Sequence, residues 1–373
     1  MKITDINCFP ISYELERPFA NSSEYHQKRA TTLVKVSTDE GICGWGEAYG
    51  PPQGTSRVID TYLKPKIIGL DPFKWEFYWN QIQAHKGIPR GVVGGVDIAM
   101  WDLKARTLQV PIYELLGGRC IDEIVPYATG FFFCEDDPDS TYFLEKEVES
   151  VIEKGFRALK MKIGFGRERD IKRIRKVREL IGDSIELMVD ANQAYNLVTC
   201  LELAPYLSEL NVKWFEEPMP WSNFLGYKEL QSKVSFSIAG GEAEITYQGF
   251  IEAIKNHIVD VIQPDLPAAG GITICRKIAV LAEAFQIEFQ PHVFGTVVGL
   301  PTAIQMTASL TNNQSWVLFP RPVMLEWDTT PNPMADDILM ESLRLEDGVY
   351  GITNQIGIGV EVNEKEIDKY LIK

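Results

Sequence analysis

Polar and apolar residues alternate over residues 2–6 and again over 32–36, the two-residue period of strands with one buried face. Asp39-Glu40-Gly41 is a hairpin-turn signal, and 42–47 reads as the returning strand. The period then lengthens. Between Gly95 and Arg106 apolar residues recur at helical spacing, and Gly117-Gly118 closes a following helix. Strands followed by helices predict an α+β unit over 1–125. Beyond it, short apolar runs alternate with amphipathic helical stretches. The runs are 125–133, 158–163, 185–189, 212–215, 237–239, 259–262, 287–289 and 317–325. Helix-like segments lie between most of them, such as 169–180, which Gly182 ends. Eight such units in roughly 200 residues predict an α/β fold, a TIM-type (β/α) barrel over 126–327. Residues 328–373 carry turn signals at Asn332-Pro333, Gly348, Gly351, Gly357 and Gly359. Too short for a core of their own, they pack back on the first unit.

The chain of 373 residues is long enough for both units, and 45% hydrophobic residues supply their cores. Its formal net charge of −15 disfavours nucleic acid and membrane surfaces as partners, because both attract basic proteins. No run of 18 apolar residues predicts a transmembrane helix. The N-terminal stretch lacks a cationic start and a long apolar segment, so the cytoplasm is the expected compartment. Cys8, Cys43, Cys120, Cys134, Cys200 and Cys275 form no CxxC pair, which argues against structural zinc or a disulfide framework. Gly240-Gly241 and Gly270-Gly271 form neither GxGxxG nor a Walker loop, so a nucleotide-dependent enzyme lacks support.

The informative feature is how the barrel strands end. They read Lys160-Met161-Lys162, Asp190-Ala191-Asn192, Glu216-Glu217-Pro218, Gly240-Gly241-Glu242, Gln263-Pro264-Asp265, Pro291-His292 and Leu325-Glu326. Up to His292 the spacing is about one β/α unit, so these groups meet at the carboxyl mouth of a barrel. Asp190, Glu216 and Glu242 are then three carboxylates on successive strands. They repel one another unless a cation sits between them, and all-oxygen ligation favours Mg²⁺, with Mn²⁺ possible in its place. Lys160 and Lys162 alternate on one strand and point to one side. Two ammonium groups beside each other and a dication are expected to have lowered pKa values, as a lysine base requires. Asp265 and His292 end adjacent strands, where a carboxylate fixes the imidazole's tautomer. A substrate carboxylate at such a site has its α-proton acidified, lysine and histidine exchange that proton from opposite faces, and Glu326, if protonated, donates to the developing enediolate.

In strand order, KMK at 160–162, VDAN at 189–192, FEEP at 215–218, GGE at 240–242, QPD at 263–265, PH at 291–292 and LE at 325–326 resemble the enolase superfamily, mandelate racemase subgroup. The helix DIAMWDLKAR at 97–106 resembles that family's other signature. YATG at 127–130, KIGFG at 162–166, PHVFGT at 291–296 and LEWDTTPNP at 325–333 are most similar to its sugar-acid dehydratases and cycloisomerases. The resemblance implies that Asp190, Glu216 and Glu242 bind Mg²⁺, that Lys162 and His292–Asp265 are opposed bases, and that Lys160 assists the substrate carboxylate. It assigns Glu326 and Asn192 to the carboxylate and enediolate side and leaves Glu217 without a ligand role. It also makes 1–125 a capping domain, completed by 328–373, whose loops at about 16–29 and 45–54 choose the substrate. Glu24, Tyr25, His26, Arg29 and Tyr49 are the candidate contacts, and their polarity suits a polyhydroxylated substrate. Homo-oligomers with even subunit numbers are implied as well.

The expected activity is Mg-dependent removal of the proton α to the carboxylate of a sugar acid or its lactone. Loss of a β-hydroxyl gives a dehydratase, loss of a ring oxygen a cycloisomerase, and reprotonation on the other face a racemase or epimerase. A non-catalytic, metal-binding member of the fold is the alternative from a different class. Its mark is a broken site, and here every position has a candidate.

Overall fold

The chain opens with a three-stranded antiparallel sheet, β1 (Ile3–Ala20), β2 (Tyr25–Thr38) and β3 (Cys43–Ala48), in that order. In this computed structural model residues 1–83, 87–134, 142–311, 318 and 321–373 are described. The β1–β2 hairpin is longer than the alternation indicated. Residues 16–20 and 25–29 are its strand ends, so the segment read as a loop over 16–29 is a hairpin tip closed by a short turn. Asn21 makes that turn, its Oδ1 accepting the N–H groups of Ser23 (2.8 Å) and Glu24 (2.7 Å). The helix Arg90–Leu108 lies on the sheet and is buried along most of its length, which explains its apolar run. Glycine is required at the contact: a Cβ on Gly46 would stand 2.1 Å from the Gly95 carbonyl oxygen.

Eight parallel strands follow. They are β4 (Glu123–Gly130), β5 (Ala158–Lys162), β6 (Glu186–Asp190), β7 (Val212–Glu216), β8 (Ser237–Gly240), β9 (Val261–Ile262), β10 (Glu288–Phe289) and β11 (Met324–Asp328). Their order is β10-β9-β8-β7-β6-β5-β4-β11, a curled sheet in which the last strand returns beside the first. Helices separate successive strands, among them Arg167–Ile181, Ile272–Ala284 and Gly299–Ala308. Each observed strand overlaps its expected run. The last starts later than 317–325 indicated, and residues 317, 319 and 320 lie outside the described ones. Short continuous apolar runs form strands here because the sheet is covered by helices outside and packed inside by Tyr127, Met188, Trp214, Val261 and Met324.

The C-terminal segment touches both units. β12 (Tyr350–Gly351) pairs antiparallel with the start of β4. Ser12 donates to the Tyr370 carbonyl (2.9 Å) and Ile372 to the Pro10 carbonyl (2.9 Å), joining its end to β1. Buried acids complete the joints. Asp102 accepts the N–H groups of Trp45 (2.8 Å) and Ile358 (2.9 Å). Asp97 accepts Trp75 Nε1 (2.7 Å) and Thr273 N (2.9 Å), reaching from the first unit to a barrel helix. Glu47 Oε2 accepts three successive N–H groups, Val297, Val298 and Gly299, at 2.8–2.9 Å. Among the described residues no helix is long and apolar enough to cross a membrane.

Candidate active site

The carboxyl ends of the barrel strands bring the predicted residues together. On β5, Lys160 is fully buried and pairs with Glu216 (2.5 Å) and Glu326 (2.8 Å). Lys162, two residues on, pairs with Asp190 at 2.5 Å. The expected lowering of the lysine pKa values presupposed a dication. Burial pulls both ammonium groups down, but with bare carboxylates beside them they are held above their ordinary value.

Asp190, Glu216 and Glu242 end β6, β7 and the turn after β8, and one oxygen of each falls within 4.8 Å of the others. Opposite oxygens around an octahedral Mg²⁺ are about 4 Å apart, so the span suits a small hard cation. Burial pushes the Glu216 carboxyl up to about 7 against the pull of Lys160. Asn192 braces the set: its N–H donates to Asp190 Oδ1 (2.8 Å) and its Nδ2 to Glu242 Oε1 (3.0 Å), while its own Oδ1 is buried and unpartnered. The donor chemistry, the shared space and the orphaned oxygen all fit a divalent cation. Asn192 and Glu217 have left-handed φ of 42° and 37°, which turn the chain sharply off two neighbouring strands. Glu217 is buried beside the triad, hydrogen-bonded to Gln193 (3.2 Å), and burial raises its carboxyl to about 9.

On the opposite side Asp265 divides its oxygens. One accepts the Ala268 N–H (2.8 Å) and caps a short helix, and the other meets His292 Nδ1 at 2.9 Å. His292 Nε2 then lies 3.0 Å from Glu242 Oε2. Burial lowers the His292 pKa, but Glu242, Glu326 and Asp265 raise it well above the ordinary value. Glu326, a donor if protonated, is placed here as an acceptor. It accepts from Thr129 Oγ1 (2.6 Å) and Val293 N (2.9 Å) and pairs with Lys160; burial pushes its carboxyl up, but the charges of Lys160, His292 and Lys162 together outweigh burial and hold it below its ordinary value. It is an acceptor that bridges β4, β5 and the chain after β10.

The N-terminal candidates separate. His26 sits among the rings of Phe19, Phe132 and Phe294 at centroid distances of 5.3, 6.1 and 5.6 Å, with its Nε2 buried and unpartnered. Tyr49 is 61% exposed, and the charges of Asp265, His292 and Glu242 reach its phenol. Glu24 and Tyr25 lie exposed at the hairpin tip. Arg29 does not present a free guanidinium. It is 4% exposed, pairs with Asp328 at 2.9 Å, hydrogen-bonds Thr330 and lies over the Phe294 ring.

Several side chains at the site escaped the sequence reading. Gln263 Nε2 (2.8 Å) and Trp214 Nε1 (3.2 Å) donate to Glu216 Oε2, and Thr129 donates to Glu326. Gln263 stands in the QPD triplet, so its position at a strand end was a usable signal. Nothing local marks the others.

A capped β/α barrel with a carboxylate triad at its mouth, flanked by a lysine pair and an Asp–His pair, defines a class of divalent-metal enzymes. The chain belongs to the mandelate racemase / muconate lactonizing enzyme family of the enolase superfamily: residues 4–117 match that family's N-terminal domain and 144–366 the "Enolase C-terminal domain-like" family. A D-galactarolactone cycloisomerase from Agrobacterium fabrum is 34% identical over 376 residues, 99% of each chain. An arabinonate dehydratase from Saccharolobus solfataricus is 28% identical over 349 residues, 91% of this chain and 90% of that one. A 3,6-anhydro-D-galactonate cycloisomerase from Zobellia galactanivorans has a solved structure with TM-score 0.88 and 32% identity, covering all of both chains.

Proposed function

We propose that this enzyme removes the proton α to the carboxylate of a sugar acid or its lactone, through an enediolate, and completes a dehydration or a lactone cycloisomerisation. The observation that carries the reading is the bracketing of one carboxylate triad by two different bases. Lys162 stands against Asp190 on one side, and His292, held by Asp265, stands against Glu242 on the other. Asp190, Glu216 and Glu242 would hold a divalent cation, Mg²⁺ or Mn²⁺, which would supply positive charge beside the substrate carboxylate and so favour the enediolate. Lys162, in its neutral amine form, takes the α-proton from its face of the substrate and becomes an ammonium, and protonated His292 delivers a proton to the opposite face or to the departing β-oxygen. Lys160 and Glu326 hold each other and Glu216 in place, so the floor of the site keeps its charge balance. Residues 126–327 form the catalytic barrel, and 1–125 with 328–373 form its cap, where His26 and Tyr49 face the substrate from opposite sides.

The test is a screen of acid sugars and aldarolactones in deuterated water with Mg²⁺, read by NMR and mass. Deuterium at the α-carbon, water loss, or ring opening without change of mass supports the reading. Lys162→Ala and His292→Asn should each lower turnover by at least about 10²-fold. Failure of the folded protein to bind Mg²⁺ would sink it.

A further inference from the structure

One guanidinium below the mouth grips both walls around Lys162. Arg173 lies in the helix Arg167–Ile181, directly after β5, and is 1% exposed. Its Nη1 donates to the carbonyl of Lys162 itself at 3.1 Å. Its Nη2 donates to the carbonyls of Phe131 (2.8 Å) and Phe132 (3.3 Å), in the chain leaving β4. Phe131 is one of few non-glycine residues with left-handed backbone, at φ 59°. Such a conformation persists only where the surroundings over-determine it. Here Arg173 takes the Phe131 carbonyl at 2.8 Å, and Phe131 itself is 1% exposed, packed in the core.

The consequence of that turn is the next side chain. The Phe132 ring lies 5.5 Å from Lys162 Nζ and 4.4 Å from Phe19 of the hairpin. The same helix holds the other flank of Lys162, since Asp170 Oδ2 accepts Gly164 N at 2.8 Å and both Asp170 oxygens lie 3.3 Å from Phe165 N. The Arg173 guanidinium lies over the Phe165 ring, 5.2 Å from its centroid.

We infer that Arg173 is a positioning residue for Lys162, fixing both the lysine's own backbone and the aromatic wall over its ammonium group. Three carbonyls in two chain segments share one buried cation, so a neutral side chain leaves them without their donor and frees the segments from each other. Lysine at 173 keeps the charge but has a single nitrogen and cannot span the same fork. The inference rests on the proposed reaction for its catalytic consequence, and on geometry alone for its structural one.

The experiment uses the full chain with Arg173→Met and Arg173→Lys. Amide hydrogen exchange should rise at least about tenfold in 131–133 and 162–166 while β7–β9 keep wild-type protection. In deuterated water with Mg²⁺, epimers of a turned-over acid that place the α-proton toward Lys162 or toward His292 are compared. Arg173→Met should slow the lysine-side exchange by about 10- to 100-fold with little change in KM, leave the histidine-side exchange near wild type, and retain Mg²⁺ affinity; Arg173→Lys should recover part of the loss. Equal slowing on both faces, or amide exchange unchanged or raised evenly through the barrel, overturns the inference. Should Arg173→Met not fold, Arg173→Lys carries both readouts with the same asymmetry expected. A wild type that exchanges no acid sinks the proposed reaction, and the amide exchange still decides the positioning role.

Discussion

The two sides of the mouth are held in opposite ways. Lys162 is braced from within its own β/α unit, by Asp170 and Arg173 in the helix that follows it. The histidine side is braced from far along the chain. Glu47 of β3 takes the three N–H groups at 297–299, Asp328 of β11 takes Gly295 N (2.9 Å) and Glu326 takes Val293 N (2.9 Å). Arg29 of β2 ties Asp328 into the same knot. Asp97 and Gly94 press on the helices that follow Asp265: a Cβ at Gly94 would stand 2.0 Å from the Pro267 carbonyl oxygen. The lysine base is thus a local construction, and the histidine base depends on how the cap is seated. Damage to the cap should therefore reach His292 before Lys162.

Glu47→Ala is the largest expected break in that arrangement. It leaves three buried N–H groups at the start of the helix Gly299–Ala308 without an acceptor and removes an anion from the positive end of the helix dipole. A loss of roughly 3–5 kcal/mol in denaturant-measured stability is expected. Histidine-side α-proton exchange should fall more than lysine-side exchange. Arg29→Met comes next, because it strands Asp328, and breaking a buried pair costs about 3 kcal/mol. The two substitutions pin one loop, so their effects should fall short of additive in a double-mutant cycle.

A pH series sharpens the same contrast on a smaller scale. Burial pushes the Asp97 carboxyl up to about 6, although Thr273, Trp75 and the Lys104 charge pull it down. The folded state therefore holds this proton more tightly than the unfolded chain, whose value is 3.8. That contribution to stability is complete below the unfolded value and is lost as pH rises through about 6. The stability of the wild type relative to Asp97→Asn should fall by on the order of 2 kcal/mol between pH 4 and pH 7, and a flat difference would refute the buried-acid account.

The same contrast explains what the sequence disclosed. The barrel and its strand-end residues were legible because a parallel β/α unit repeats, and side chains at equivalent places in the repeat share one face. Lys162, Asp190, Glu216, Glu242, Asp265 and His292 need no partner outside that logic to be found. The pairing of Arg29 was not legible because its partner, Asp328, lies some three hundred positions away and nothing local announces it. That Glu326 is an acceptor was not legible, because a strand-end reading cannot see that Lys160 is its partner. Glu47 looked like the last residue of a strand, and its role exists only once β3 is docked on the barrel. Residues 16–29 read as a loop because a hairpin tip is polar on both faces and loses the alternation that marks its base.

The hairpin tip is where the cap meets the lysine side, and it supplies the smallest effect. Ser22 Oγ donates to the Ala191 carbonyl at 2.6 Å and lies 3.2 Å from the Asn192 carbonyl, in the chain that leaves β6 just after Asp190. Gly164 leaves room for it: a Cβ there would stand 2.6 Å from Ser22 Cβ. Beside it, the Ala20–Phe133 pair links the two backbones at 2.8 and 2.9 Å. Ser22→Ala removes one partly buried hydrogen bond, about 1 kcal/mol at most, and keeps the β-carbon that packs on Gly164. Global stability should hardly change. The tip, tied down by less, should open more often, so KM for the proposed acid sugar rises by about fivefold with kcat unaltered. A fall in kcat instead would mean that the tip orders Asp190 and Asn192 themselves, and that the lysine side depends on the cap as much as the histidine side does.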